Sequence, residues 1–188
     1  MRKLAVAAVL MLAAFPVFAH VTPTVELIKK AELIRQSLPA ATKFSEQRLS
    51  LSAPDLAAVR KATGWTPSAE EARLYVGRDD QGGLVGRVVM LWIPSQHGPV
   101  GVAVAFDPAG KILRVAVTDI GSEPLGWVRP LLDNGGLAAF SGLPLDAAPD
   151  PAKIAPKVTG TMSRYFAKVI TDGVARAQAL ERLAMAPG

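Results

Sequence analysis

Cysteine is absent from the 188 residues, which excludes disulfides, thiolate catalysis, Cys-ligated zinc and iron–sulfur clusters. Stability must come from the core, and a chain of this length can build one without staples. Only two histidines occur, His20 and His97. Pairing them is the one copper arrangement available, and it lacks the supporting acid or ligand motif that such sites use. No Gly-x-Ser-x-Gly elbow and no Ser/His/Asp pattern is present, so hydrolytic chemistry has no carrier. Runs of like charge are missing too. The formal charge of +5 comes from basic residues scattered among acids, a solvated surface and not a nucleic-acid footprint.

Long apolar runs are confined to the amino terminus. Arg2 and Lys3 precede an apolar stretch from Leu4 to Ala14, and Val17-Phe18-Ala19 supplies a small-residue cleavage site. This is a signal-peptide pattern, too short and wrongly flanked for a membrane span. It predicts cleavage after Ala19, a mature soluble chain beginning at His20, and a periplasmic location. Residues 20–188 are then one domain with a charge of about +3, since Arg2 and Lys3 leave with the leader.

Within that domain the clearest pattern runs from Gly98 to Trp127. Val100, Val102, Val104 and Phe106 alternate with small residues, Asp107-Pro108-Ala109-Gly110 makes a turn, and Ile112 to Thr118 returns. Alternation and β-branching predict an antiparallel pair, Gly98–Asp107 with Lys111–Asp119. Gly98 and Gly101 would let another backbone or a flat ligand approach the first strand. Ser122-Glu123-Pro124 then reads as a turn carrying an acid and a hydroxyl off the strand end. A first hairpin is predicted over Arg73–Asp79 and Leu84–Trp92, turned by Asp79 to Gly83.

Helices are predicted on either side. Thr22-Pro23 looks like a helix start, followed by an apolar stripe of Val25, Leu27, Ile28, Ala31 and Ile34. Phe44 to Leu51 reads as a short strand. Ser52 caps a second helix, which Gly64 closes. After Trp127 a short helical or irregular piece leads to loops and a proline-rich crossing segment, Asp146 to Pro156. Phe166, Val169, Ile170, Val174, Ala177 and Leu180 then keep a helical period. The class is α+β: a mainly antiparallel sheet of two hairpins, N-terminal helices, and a long C-terminal helix packed on it.

Thr159-Gly160-Thr161-Met162-Ser163 opens that last helix. A glycine and hydroxyls at a helix N-terminus offer N–H donors and a favourable dipole to a phosphate. The ordinary alternative is a capped helix start. For Glu123 the alternative to a ligand contact is a solvated turn acid, and for Trp127 it is plain core.

Taken together, these stretches resemble a known family. Gly86, Gly98-Pro99-Val100-Gly101, the Asp107–Ile112 turn, Ser122-Glu123-Pro124, the Trp127–Leu145 stretch, Thr159-Gly160 and Thr171-Asp172-Gly173-Val174 are similar to the exported FMN-binding domain. That domain is shared by the G subunit of ion-pumping electron-transport complexes and by the nitrous-oxide-reductase regulator. Leu33-Ile34, Leu38-Pro39 and Phe44 resemble the lead-in of its small exported members. The resemblance implies a periplasmic electron carrier binding FMN through Ser122, Glu123, Thr159, Gly160, Thr161 and Ser163. It implies a membrane-bound or periplasmic redox partner, and a flavin transferase that esterifies a threonine of Ser/Thr-Gly-Ala-Thr to the FMN phosphate. Aligned without a gap, Met162 stands at the acceptor position and cannot form the ester. With one residue deleted Thr161 is the acceptor. Pro156 stands where the family has an acid. A degenerate, flavin-free partner-binding module of the same fold is the alternative.

Overall fold

The computed structural model describes residues 22–154 and 158–186. The expected leader, its cleavage site, His20 and Pro156 lie outside them. In chain order the elements are β1 (Thr24–Glu26), α1 (Lys30–Ser37), β2 (Lys43–Arg48), α2 (Ala53–Thr63), β3 (Arg73–Arg78) and β4 (Leu84–Ile93). There follow β5 (Val100–Phe106), β6 (Ile112–Gly121), α3 (Ser122–Asp133), a 3-10 turn (Gly136–Phe140), α4 (Pro151–Ile154) and α5 (Thr161–Met185). The strands form one antiparallel six-stranded sheet in the order β1-β6-β5-β4-β3-β2. The α+β class, both hairpins and the long last helix are as the sequence predicts.

Each central hairpin turn is closed by its first aspartate. Asp107 Oδ1 accepts from the N–H groups of Ala109 and Lys111 at 2.9 and 2.8 Å. Asp79 Oδ1 does the same for Gln81 and Gly83 at 3.0 and 2.7 Å. Carboxylates that mimic a turn in this way hold the register of the strands behind them.

The two faces of the sheet are covered unequally. Val100, Val102, Val104 and Phe106 of β5 point at α5, α3 and the main core. On the other face Ala103 and Ala105 are small because α1 lies close, with Leu33, Ile34 and Leu38 packed on Val88 and the alanines. α5 buries Phe166, Ile170, Val174 and Leu180 completely. Each such side chain contributes about 1.5–3 kcal/mol relative to exposure, so this helix dominates the core.

Two local expectations are corrected. Thr24–Glu26 is a strand, not the start of a helix: the edge of β6 offers backbone partners at Asp119–Gly121, and Pro23 O accepts from Ser122 N at 2.8 Å. The helix starts only at Lys30, because tertiary pairing outweighs local propensity. Ser122-Glu123-Pro124 is the first turn of α3, not a turn off the strand. Pro124 suits it, since an N–H in the first turn would lack an intrahelical partner anyway. The piece after Trp127 is helical, one of the two readings the sequence left open, and belongs to the same helix, which continues through Pro130.

Gly86 marks the tightest approach between strands. A Cβ there would collide with the Phe106 carbonyl oxygen and stand 2.7 Å from Leu38 Cδ2. The carbonyl belongs to a paired strand and cannot retreat. Gly86→Ala is therefore expected to lower stability by about 1–3 kcal/mol, read from the urea midpoint. An unchanged midpoint would show that β4 and β5 are not packed as described.

Candidate functional site

α3 and α5 begin on the same side of the molecule and touch. Ser163 Oγ, buried in the first turn of α5, donates to Trp127 O of α3 at 2.8 Å. The rings of Trp127 and Phe166 stack at 6.1 Å with 22° between their planes. His97, from the β4–β5 loop, sets its ring edge-on to Trp127 at 4.9 Å. Glu123 reaches back to this imidazole, with Oε2 3.8 Å from Nδ1, an ionic contact when the histidine is protonated. Tyr165 closes the group: its hydroxyl accepts from Gln96 N at 2.9 Å and its ring meets Phe166 at 5.2 Å. At 1.5 Å rise per residue, Glu123 lies about 6 Å along α3 from the Trp127–Ser163 bond.

The structure sorts the sequence-predicted residues by what their polar atoms do. Ser122 is exposed, and its N–H is held by Pro23 O. Thr159 is exposed, and its carbonyl accepts from the Arg164 guanidinium at 3.2 Å. Gly160 is the extended N-cap residue of α5 and supplies no side-chain cap. Thr161, the first helical residue, is exposed, while Met162 is half-buried against the core. Ser163 faces inward and is committed to Trp127. Of the three hydroxyls, those of Thr159 and Thr161 therefore stand at the surface. His97 enters the group although nothing near it in sequence announces a partner.

Beside this junction a cavity of about 170 Å³ is lined by Pro130, Asn134, Gly136, Lys153, Ile154 and Val158. Ligand pockets commonly hold about 300–1,000 Å³.

The far end of α5 holds a second polar group that sequence reasoning missed. Glu181 is completely buried and accepts from Arg87 of β4 at 2.7 Å. Its other oxygen and Arg87 Nε have no partner among the described residues. The signal was present in the sequence, because Glu181 continues the spacing of Val174 and Ala177 along the apolar stripe. Burial pushes the Glu181 carboxyl up to about 7, against the pull of Arg87, and Asp107 adds to the rise.

Comparison of the chain with protein-family models, with curated proteins and with solved structures found no match.

The Glu181 carboxyl gives the fold a pH dependence of known sign. The folded chain keeps this proton to a higher pH than the unfolded chain does. Its contribution is complete below about 4.5 and is lost as pH rises through about 7. From about pH 5 to about pH 8 the wild type should lose on the order of 1–3 kcal/mol that Glu181→Gln does not lose. Urea midpoints at the two pH values measure it, and equal losses in both proteins would contradict the assignment.

Proposed function

We propose that this chain is a periplasmic FMN-binding electron-transfer protein, with the flavin phosphate at the start of α5. The observation that carries the reading is the disposition of residues 159–163. Thr161 stands exposed at the N-terminus of a 25-residue helix, Met162 is turned toward the core, and Gly160 leaves the helix start without a side-chain cap. The N–H groups of a first turn have no intrahelical acceptors, and the helix dipole favours an anion there. This supports the register in which Thr161, not Met162, answers to the family's acceptor threonine.

The residues present fit the phosphate end of the cofactor. Thr159 and Thr161 offer hydroxyls, and Arg164 lies one turn into the helix. Ser163 holds α5 to α3, so it positions the site and leaves the ester chemistry to Thr161. The aromatic group of His97, Trp127 and Phe166 gives the start of α3 a rigid wall. Flavin supplies one- and two-electron redox chemistry when bound, and the protein sets its potential and access. A membrane-bound or periplasmic redox protein is the partner this reading calls for, with a flavin transferase where the attachment is covalent.

A flavin-free partner-binding module of the same fold is the second reading. It is favoured by the size of the cavity beside Val158, which is too small to enclose an isoalloxazine ring.

Co-expression with a flavin transferase distinguishes the two. A fluorescent band on a denaturing gel is expected for the wild type, absent in Thr161→Ala and retained in Ser163→Ala. No band in the wild type, with no flavin absorbance in the native protein, would favour the second reading. A band that survives in Thr161→Ala would move the acceptor elsewhere.

A further inference from the structure

The outer edge of β6 is closed at both ends and open between them. At one end β1 covers Asp119–Gly121, and Leu27 N donates to Thr118 O at 2.7 Å. At the other, Ile112 N donates to Leu143 O at 3.0 Å and Ile112 O accepts from Gly142 N at 2.8 Å. Ile112 and the Thr118 carbonyl thus face outward, but bulges after Ile112 and Val117 interrupt the alternation between them. Phe106 O faces β4, so Ala105 and Ala103 bond Arg114 and Ala116, and the N–H and C=O of Val115 and Val117 turn outward. Arg114 and Ala116 bond inward to β5. Among the described residues no backbone group bonds to Val115 or Val117 on the outer side. The gap spans about 20 Å of strand and holds neither proline nor lysine, the residues that usually deter pairing at an edge.

A groove of about 440 Å³ runs along this gap. On the α3 side its wall is apolar, formed by Leu125, Leu132 and Leu137, all half-buried. On the α1 side stands Arg114, which reaches Gln36 Oε1 at 3.0 Å. Arg129 and Asp133 complete the rim, so cations exceed anions.

We propose that the open edge of β6 is a docking site for an extended peptide segment of a partner protein, apolar on one face and acidic on the other. Such a segment would add a strand, exchanging hydrogen bonds with the N–H and C=O groups of Val115 and Val117. Successive side chains of an added strand alternate between the sheet faces. One set would meet the three leucines and the other would meet Arg114, where an acidic residue is matched. A second copy of this chain fits less well, because symmetric pairing would bring the Arg114 side chains of the two copies together. The groove lies on the opposite flank of α3 from Trp127 and Pro130, so the proposal stands apart from the flavin reading.

Amide hydrogen exchange of the full chain by NMR tests it, with Arg114 and Ala116 as internal controls. The probe is a capped heptapeptide of alternating threonine and valine with a central glutamate. The Val115 and Val117 amides should exchange quickly in the free chain and become protected when the peptide is added. Arg114→Glu should weaken the glutamate peptide roughly three- to ten-fold and favour its lysine counterpart. Arg129→Glu, on the exposed rim of α3, should act in the same direction if Arg114→Glu fails to fold. Amides already protected in the free chain would overturn the proposal, since the edge would then be occupied by the chain itself or a second copy. Amides that stay fast at saturating peptide, or affinity indifferent to both charge reversals, would overturn it equally.

Discussion

Everything else in the molecule depends on the packing of α5 across the inner face of β4 and β5. Gly173 allows the approach: a Cβ there would stand 3.0 Å from Ile93 Cγ1 and 3.1 Å from Val102 Cβ. With Val169, Ile170, Val174 and Leu180 buried on either side of that contact, the helix has one direction and one rotation. Its 25 residues extend about 37 Å, so its two ends serve different parts of the fold. The start is tied to α3 through Ser163 and Trp127, and the last turns are tied to β4 through Glu181 and Arg87. Polar residues of α5 hold the chain where it enters the proline-rich crossing: Gln178 donates to Pro144 O and Ala147 O, and Arg182 to Leu145 O.

The exposed start and the buried end of this helix carry opposite electrostatic costs. At Thr161 the unpaired first-turn N–H groups favour an anion by about 0.3–1 kcal/mol per charge when exposed. That is too little to retain a small ligand alone, which is why either a covalent ester or ring contacts near Trp127 must accompany a phosphate there. At Glu181 the cost runs the other way. A carboxylate sealed from water is stabilised by one guanidinium bond, and its second oxygen has no partner among the described residues. Proton uptake relieves it, so the pair ties stability to pH.

Much of the fold was legible in the sequence, for physical reasons that are local. Alternation in Val100–Phe106, the Asp-initiated turns, and the Ser52 and Gly64 caps each act within a few residues, and all appear as read. The Ser52–Asp55 pair even forms the reciprocal capping box. What misled was non-local. Val25 and Leu27 fit a helical stripe, but the strand edge they meet is nearly a hundred residues away. Ser122-Glu123-Pro124 has turn composition, yet the same residues suit a helix first turn, and only the packing of Val128 and Leu131 decides. At the site, the exposure of Thr161 and the inward turn of Ser163 follow from the rotation of α5, which composition does not encode. The approach of His97 to Glu123 depends on a loop closing over α3, and no spacing in the chain foretells it.

The central claim is that the start of α5 holds the phosphate of a flavin. Riboflavin and FMN share a ring and differ at that phosphate, so their relative affinity for the protein lacking any covalent adduct isolates the interaction. Quenching of flavin fluorescence on titration with protein gives both constants. FMN is predicted to bind roughly ten-fold more tightly than riboflavin, as two charges at a helix start require. Equal affinity for the two, or binding of neither, would contradict the account.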